Sequence, residues 1–117
     1  MDKYNDNLIV QLTFEFSLLI MDYCDILEEM GKRKLAWQLF DAGTSIGANV
    51  NESQNAESKA DFIHKMKIAA KEGDESDYWL RLCKYSKKYP NCDDLLERVD
   101  IINKIIGKII STSKGKN

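Results

Sequence analysis

Gln38-Leu39-Phe40-Asp41-Ala42-Gly43-Thr44-Ser45-Ile46-Gly47-Ala48-Asn49-Val50-Asn51-Glu52-Ser53 is the stretch that decides the fold. It has the length of a helix and places two glycines, Gly43 and Gly47, four residues apart. Residues at that spacing share a face, and Ser45, Asn49 and Glu52 form a second, polar file on another face. Each interior glycine costs a helix about 1 kcal/mol relative to alanine, so two of them point to a neighbouring backbone that approaches closely. The segment reads as tight helix packing and carries no reaction chemistry of its own.

Composition supports an all-helical reading. A chain of 117 residues that is 44% hydrophobic can bury one core. One proline and six glycines leave little turn material for a many-stranded fold. Four helical segments follow. The first spans roughly Asn7 to Met30, with Leu8, Leu12, Phe16, Leu19, Tyr23, Ile26 and Met30 expected on its core stripe and Gly31 as its C-terminal cap. The second runs from about Lys34 to Ser53, with Leu35, Leu39, Gly43, Ile46 and Val50 inward. Ser58-x-x-Asp61 opens the third, whose core face is Phe62, Met66, Ala69, Gly73, Leu80 and Cys83, and Pro90 ends it. The fourth follows cap candidates at Asn91 to Asp94, on the stripe Leu95, Val99, Ile102, Ile106 and Ile109. Ser111 to Asn117 is expected to fray. The whole, 1–117, is read as one antiparallel up-down-up-down four-helix bundle.

Three faces of this bundle are candidates for function. Val10, Phe14, Leu18 and Met21 fall nearly opposite the predicted core stripe of the first helix, at about 100° per residue. Ile68, Trp79 and Leu82 on the third helix, and Ile101 and Ile105 on the fourth, also leave the main stripe. These nine are the predicted subunit interface. The topology also gathers Lys32, Arg33, Lys34, Arg81, Lys84, Lys87 and Lys88 at one pole as a candidate anion site, diluted by Glu28, Glu29, Asp93 and Asp94. The alternative is a set of ordinary solvated charges. Ser45, Asn49 and Glu52 could meet Asp61, Lys65, Glu72 and Glu75 across the second and third helices, either as an interior pocket or as a network that fixes register. Trp37 and Tyr78 are further recognition candidates.

Several chemistries are disfavoured. A di-metal carboxylate site needs a Glu-x-x-His from each of two helices, whereas this chain has one histidine, His64, in the half-motif Asp61-x-x-His64. Glu72 and Glu75 lack an accompanying nucleophile. Cys24, Cys83 and Cys92 form no C-x-x-C pair and read as reduced packing or surface thiols. No catalytic residue, metal or cofactor is expected. The N-terminal residues show no signal pattern and no apolar run approaches the ~20 residues that span a bilayer, so a cytoplasmic protein without membrane contact is expected.

The blocks Thr44-Ser45-Ile46-Gly47-Ala48-Asn49, Ser58-Lys59-Ala60-Asp61-Phe62-Ile63-His64 and Glu72-Gly73-Asp74-Glu75-Ser76-Asp77-Tyr78-Trp79-Leu80, in this order, resemble the four helix bundle proteins encoded by intervening sequences in bacterial 23S ribosomal RNA genes, also labelled S23-like ribosomal proteins. The resemblance implies an antiparallel bundle assembled into a homo-oligomeric ring, commonly a pentamer, with no established enzyme activity. A similar bundle is the accessory protein of diversity-generating retroelements, whose basic ring binds nucleic acid and a reverse transcriptase. The resemblance therefore implies an RNA or nucleoprotein partner. Relatives commonly carry arginine where this chain has Asp41 and Asn51, which removes positive charge from such a surface. The net charge of −2 argues in the same direction. The expected function is a non-enzymatic, self-associating helical scaffold, with a protein adaptor lacking nucleic-acid affinity, or an enzyme using an interior acidic pocket, as the alternatives.

Overall fold

A computed structural model describes residues 7–115. Four helices occupy almost all of it: α1 (Leu8–Glu29), α2 (Arg33–Ser53), α3 (Lys59–Ser86) and α4 (Asp93–Gly115). Each packs on the next in sequence, and α4 returns to α1 across the slightest of the four seams, while the backbones of the diagonal pairs stay apart. This is the up-down-up-down bundle that short connections favour. The bundle measures 48 × 28 × 20 Å. Its long axis is set by α3, whose 28 residues extend about 42 Å at 1.5 Å each.

The helix ends follow local chemistry. Asn7 caps α1, its Oδ1 accepting from the Val10 N–H at 3.4 Å, and its Nδ2 donates to Gln54 Oε1 at 2.7 Å, tying the start of α1 to the end of α2. Gly31, at φ +80°, closes α1 as a Schellman motif in which the Lys32 N–H reaches Leu27 O at 2.8 Å. Ser58 caps α3 by accepting from the Asp61 N–H at 3.0 Å. The third helix stops at Ser86, ahead of Pro90, because Lys87 takes the left-handed conformation at φ 66°. The tail expected to fray from Ser111 is helical through Gly115, and residues 116–117 lie outside the described residues.

Phe16, Ile20, Leu27, Leu39, Ile46, Val50, Met66, Leu80, Val99, Ile102 and Ile106 fill the core. Gly43 and Gly47 face α1: a Cβ on Gly43 would lie 2.8 Å from Ile20 Cγ1, and one on Gly47 3.1 Å from the Thr13 carbonyl oxygen. The close approach predicted from the glycine pair is therefore made by α1. It also turns α1 about its axis. Ile9, Thr13, Ile20, Cys24 and Leu27 are buried alongside Phe16 and Tyr23, while Leu8, Ile26 and Met30 of the expected stripe are exposed. Burying Thr13 is inexpensive because its Oγ1 donates to Ile9 O at 2.8 Å within its own helix.

Candidate functional site

One stretch of the apolar surface left outside the core lies along α1 and the groove it forms with α2. Phe14, Leu18 and Met21 are exposed, with Leu18 at 48%. Val10, expected among them, is a correction: it is only 5% exposed, since the rotation that brings Thr13 and Ile9 inward carries it into the α1/α2 seam. Phe40 and Trp37 extend the strip onto α2, with Trp37 at 71% exposure. Two cavities indent the groove on either side of Phe40. One, of about 390 Å³, has Phe14, Met21 and Phe40 as walls over Gly47 and Ala48. The other, of about 290 Å³, is walled by Trp37 and Phe40, rimmed by Asp25, Glu28 and Asp41, and floored by Cys24 and Ala36. The small residues that allow close helix approach thus also leave the groove open between larger side chains.

The remaining interface candidates divide. Leu82 on α3 and Ile101 on α4 are exposed. Trp79 and Ile105 are half-buried against the core, and Ile68 is half-buried. The Trp79 Nε1 is buried without a hydrogen-bond partner among the described residues.

At the predicted basic pole, Lys32 sits over the Tyr89 ring at 4.7 Å and Tyr23 Oη donates to Pro90 O at 2.7 Å, so the end of α1 does meet the α3–α4 connection. Three of its seven charges are spent on local ion pairs. Arg33 pairs with Glu28 at 3.8 Å, Arg81 with Asp77 at 2.8 Å and Lys84 with Asp93 at 3.3 Å. Lys34, Lys87 and Lys88 are exposed. The Asn91 side chain and then Lys84 hold the Asp93 carboxyl below the usual carboxylate range.

The polar files of α2 and α3 also meet only in part. Lys65 Nζ donates to Glu52 Oε1 at 2.9 Å, the one direct bond between the two sets among the described residues. Asn49 Nδ2 instead donates back to Ser45 O at 2.9 Å, and Asp61 Oδ2 accepts from the Glu57 N–H at 3.3 Å. Glu72 is half-buried, and burial, followed by the charges of Glu75 and Asp41, holds its carboxyl above the usual range. Among the described residues no three His, Cys, Asp or Glu side chains come together as metal ligands. His64 is exposed.

The profile of the 23S rRNA-intervening sequence proteins matches residues 5–108. The chain belongs to the 23S rRNA-intervening sequence protein family. A crystal structure of a protein of unknown function from the S23 ribosomal protein family of Bacteroides thetaiotaomicron VPI-5482 is similar, at TM-score 0.83 and 34% identity, over 89% of this chain and 99% of that one. Comparison with curated proteins gave no match. The two likenesses carry a fold and a family of uncharacterised function.

In this 23S rRNA-intervening sequence protein one feature was left open by the sequence and a second was barely signalled by it. All three thiols are buried and free, and the Tyr23 phenol lies within hydrogen-bond reach of both Cys83 and Cys92. Burial pushes the Cys24 thiol up to about 12 and the Cys83 thiol up to about 11, which leaves both protonated and unreactive near neutrality. The walled cavity around Trp37 was the second. Its only sequence signal was the run Trp37, Phe40, Asp41, whose partners on α1 are named only by the helix register.

Among the described residues no helix is long and apolar enough to cross a membrane.

Proposed function

We propose that this chain is a non-enzymatic scaffold that acts in the cytoplasm by assembling with copies of itself through the outer face of α1 and the α1/α2 groove. The observation that carries the reading is the strip of exposed Leu18, Met21, Phe40 and Trp37, which an isolated bundle leaves in water. Monomeric domains rarely leave large contiguous apolar patches uncovered. The strip continues into two cavities that a side chain from another copy can enter. The exposed Leu82 and Ile101 on other helices offer a second, different surface, as a head-to-tail ring requires.

A nucleoprotein partner is a second reading, and one observation favours it beside the family description. Lys67, Lys71, Lys108 and Lys114, on α3 and the second half of α4, form no ion pair among the described residues, although Lys65 and Lys104 on the same helices pair with Glu52 and Asp100. Static light scattering at low and high salt, with and without a structured RNA, separates the two readings. A discrete oligomer indifferent to RNA supports the protein scaffold. RNA capture at low salt that is released at high salt supports the nucleoprotein. A monomer at every concentration overturns self-assembly.

A further inference from the structure

The cavity of about 290 Å³ at the C-terminal end of α1 brings together two kinds of group that a cation can use. Trp37 and Phe40 supply aromatic surface, and Asp25, Glu28 and Asp41 supply three carboxylates, while none of its lining residues is basic. The indole is not there to fill the core, since Trp37 is largely exposed. It is instead held in place by its Nε1, which donates to Glu28 Oε2 at 3.0 Å. The acids are also placed against local electrostatics. The last turn of α1 contains no base, so its carboxylates face the negative end of the helix dipole, where cations are favoured. Nor do these acids suit a bare metal ion, because no three potential ligands converge among the described residues. Carboxylates that do not converge as a metal-ligand set, around a space of this volume with π surface on its walls, suit a larger and more weakly hydrated cation. The chain's own Arg33 shows the affinity in weak form, its exposed guanidinium standing 3.8 Å from Glu28 at the rim.

We propose that this cavity is a binding site for an organic cation, a guanidinium or alkylammonium group of the size of an arginine or quaternary-ammonium head. The aromatic rings of Trp37 and Phe40 take the polarised N–H or C–H surface of the cation, and Asp25 and Asp41 neutralise its charge, while Glu28, bonded to the indole and paired with Arg33, holds Trp37 in place. The inference does not depend on self-assembly. The cation can be carried by a side chain of another copy or by a free small molecule, and the chemistry of the site is the same for both.

The test is an NMR titration of the intact chain with arginine methyl ester and with tetramethylammonium chloride, each against KCl at matched ionic strength. The signals followed are the Trp37 indole N–H, assigned by its loss in Trp37→Phe, and the Ala36 and Phe40 amides. Saturable shifts confined to these groups are expected with both organic cations and not with KCl. Asp25→Asn with Asp41→Asn should weaken binding at least tenfold; both residues are exposed, and an otherwise unchanged spectrum confirms that the fold is kept. Trp37→Leu, followed on the amides, should weaken it similarly. Shifts that fail to saturate, that KCl reproduces, or that persist unchanged in the carboxylate double variant overturn the proposal. Light scattering at saturating arginine methyl ester identifies the source. A fall in oligomer mass means the site holds a side chain of another copy, and an unchanged mass means it takes a free cation.

Discussion

Gly43 and Gly107 are both helical glycines, yet they do opposite things to stability. A methyl group on Gly43 would sit 2.8 and 2.9 Å from the two γ carbons of Ile20, a fully buried and β-branched side chain with little freedom to move. Overpacking of this kind costs about 1–3 kcal/mol, which outweighs the ~1 kcal/mol that alanine returns to the helix. Gly107 has nothing within 4 Å. Chemical denaturation should therefore show Gly43→Ala less stable than the parent by roughly 1 kcal/mol and Gly107→Ala more stable by about as much; equal stabilities would show that α1 and α2 are not held this closely. The thiols give a second prediction at this scale. Burial raises Cys83 to about 11 and Cys24 to about 12, and Cys92 is raised as well, so the native state keeps protons that the unfolded chain releases near pH 8.5. A raised folded pKa contributes stability that is fully present below the unfolded value and is lost as pH climbs towards the folded one. Melting temperature should thus be flat from pH 7 to 8 and fall steadily between about 9 and 11. The sequence announced the glycine contact plainly, because two glycines four apart have few other uses in a helix. It placed Cys83 on the core face of α3 but left Cys24 and Cys92 open between core and surface, because their burial depends on residues far apart in the chain.

The connection between α3 and α4 is short, and two contacts fasten it. Tyr23 reaches from α1 to donate to Pro90 O at 2.7 Å, and Lys87 turns the chain in the left-handed region. Tyr23→Phe leaves that carbonyl without its protein donor and should cost about 1–2 kcal/mol, read as a drop in denaturation midpoint at unchanged slope. Lys87→Gly removes the strain of a Cβ at positive φ and should gain about 0.5–1 kcal/mol on the same measurement. At the level of elements most of the architecture was legible. Ser58 and Gly31 announced their boundaries, and the α2 and α4 stripes were read almost residue for residue because each has a polar opposite face. α1 was misphased by about one residue for the opposite reason. It is apolar on two sides, so periodicity alone cannot choose between the Leu8-Leu12-Leu19 stripe and the Ile9-Ile20-Leu27 stripe. The choice is made by α2, where Gly43 and Gly47 admit Ile20 and the backbone of Thr13. The far end of α4 was missed because Ser111, Thr112 and Ser113 are poor helix formers that are nonetheless helical here. The candidate site was less legible, since the Trp37 cavity is shared between α1 and α2 and its carboxylates come from both.

For the whole molecule, the question is what covers α1. Five acids and no base lie between Leu8 and Glu29, and among them stands an apolar file that the bundle leaves outside its core. Placing Leu18→Asp in that file separates the two explanations. If the chain is monomeric, an exposed leucine changed to aspartate alters stability by no more than about 0.5 kcal/mol and leaves the hydrodynamic size unchanged. If copies meet on this face, the new charge must be desolvated beside apolar neighbours, and Glu15 and Asp22 add like charges on the same helix. The scattering mass should then fall to the 13.5 kDa of one chain. Circular dichroism should keep its helical signal, because Leu18 makes no part of the core. The parent melting temperature should also rise with protein concentration and that of the variant should not, since association stabilises the folded state by mass action. A variant that keeps the parent's mass would move the assembly surface away from α1, to the exposed Leu82 or Ile101, where Leu82→Asp and Ile101→Asp repeat the same experiment.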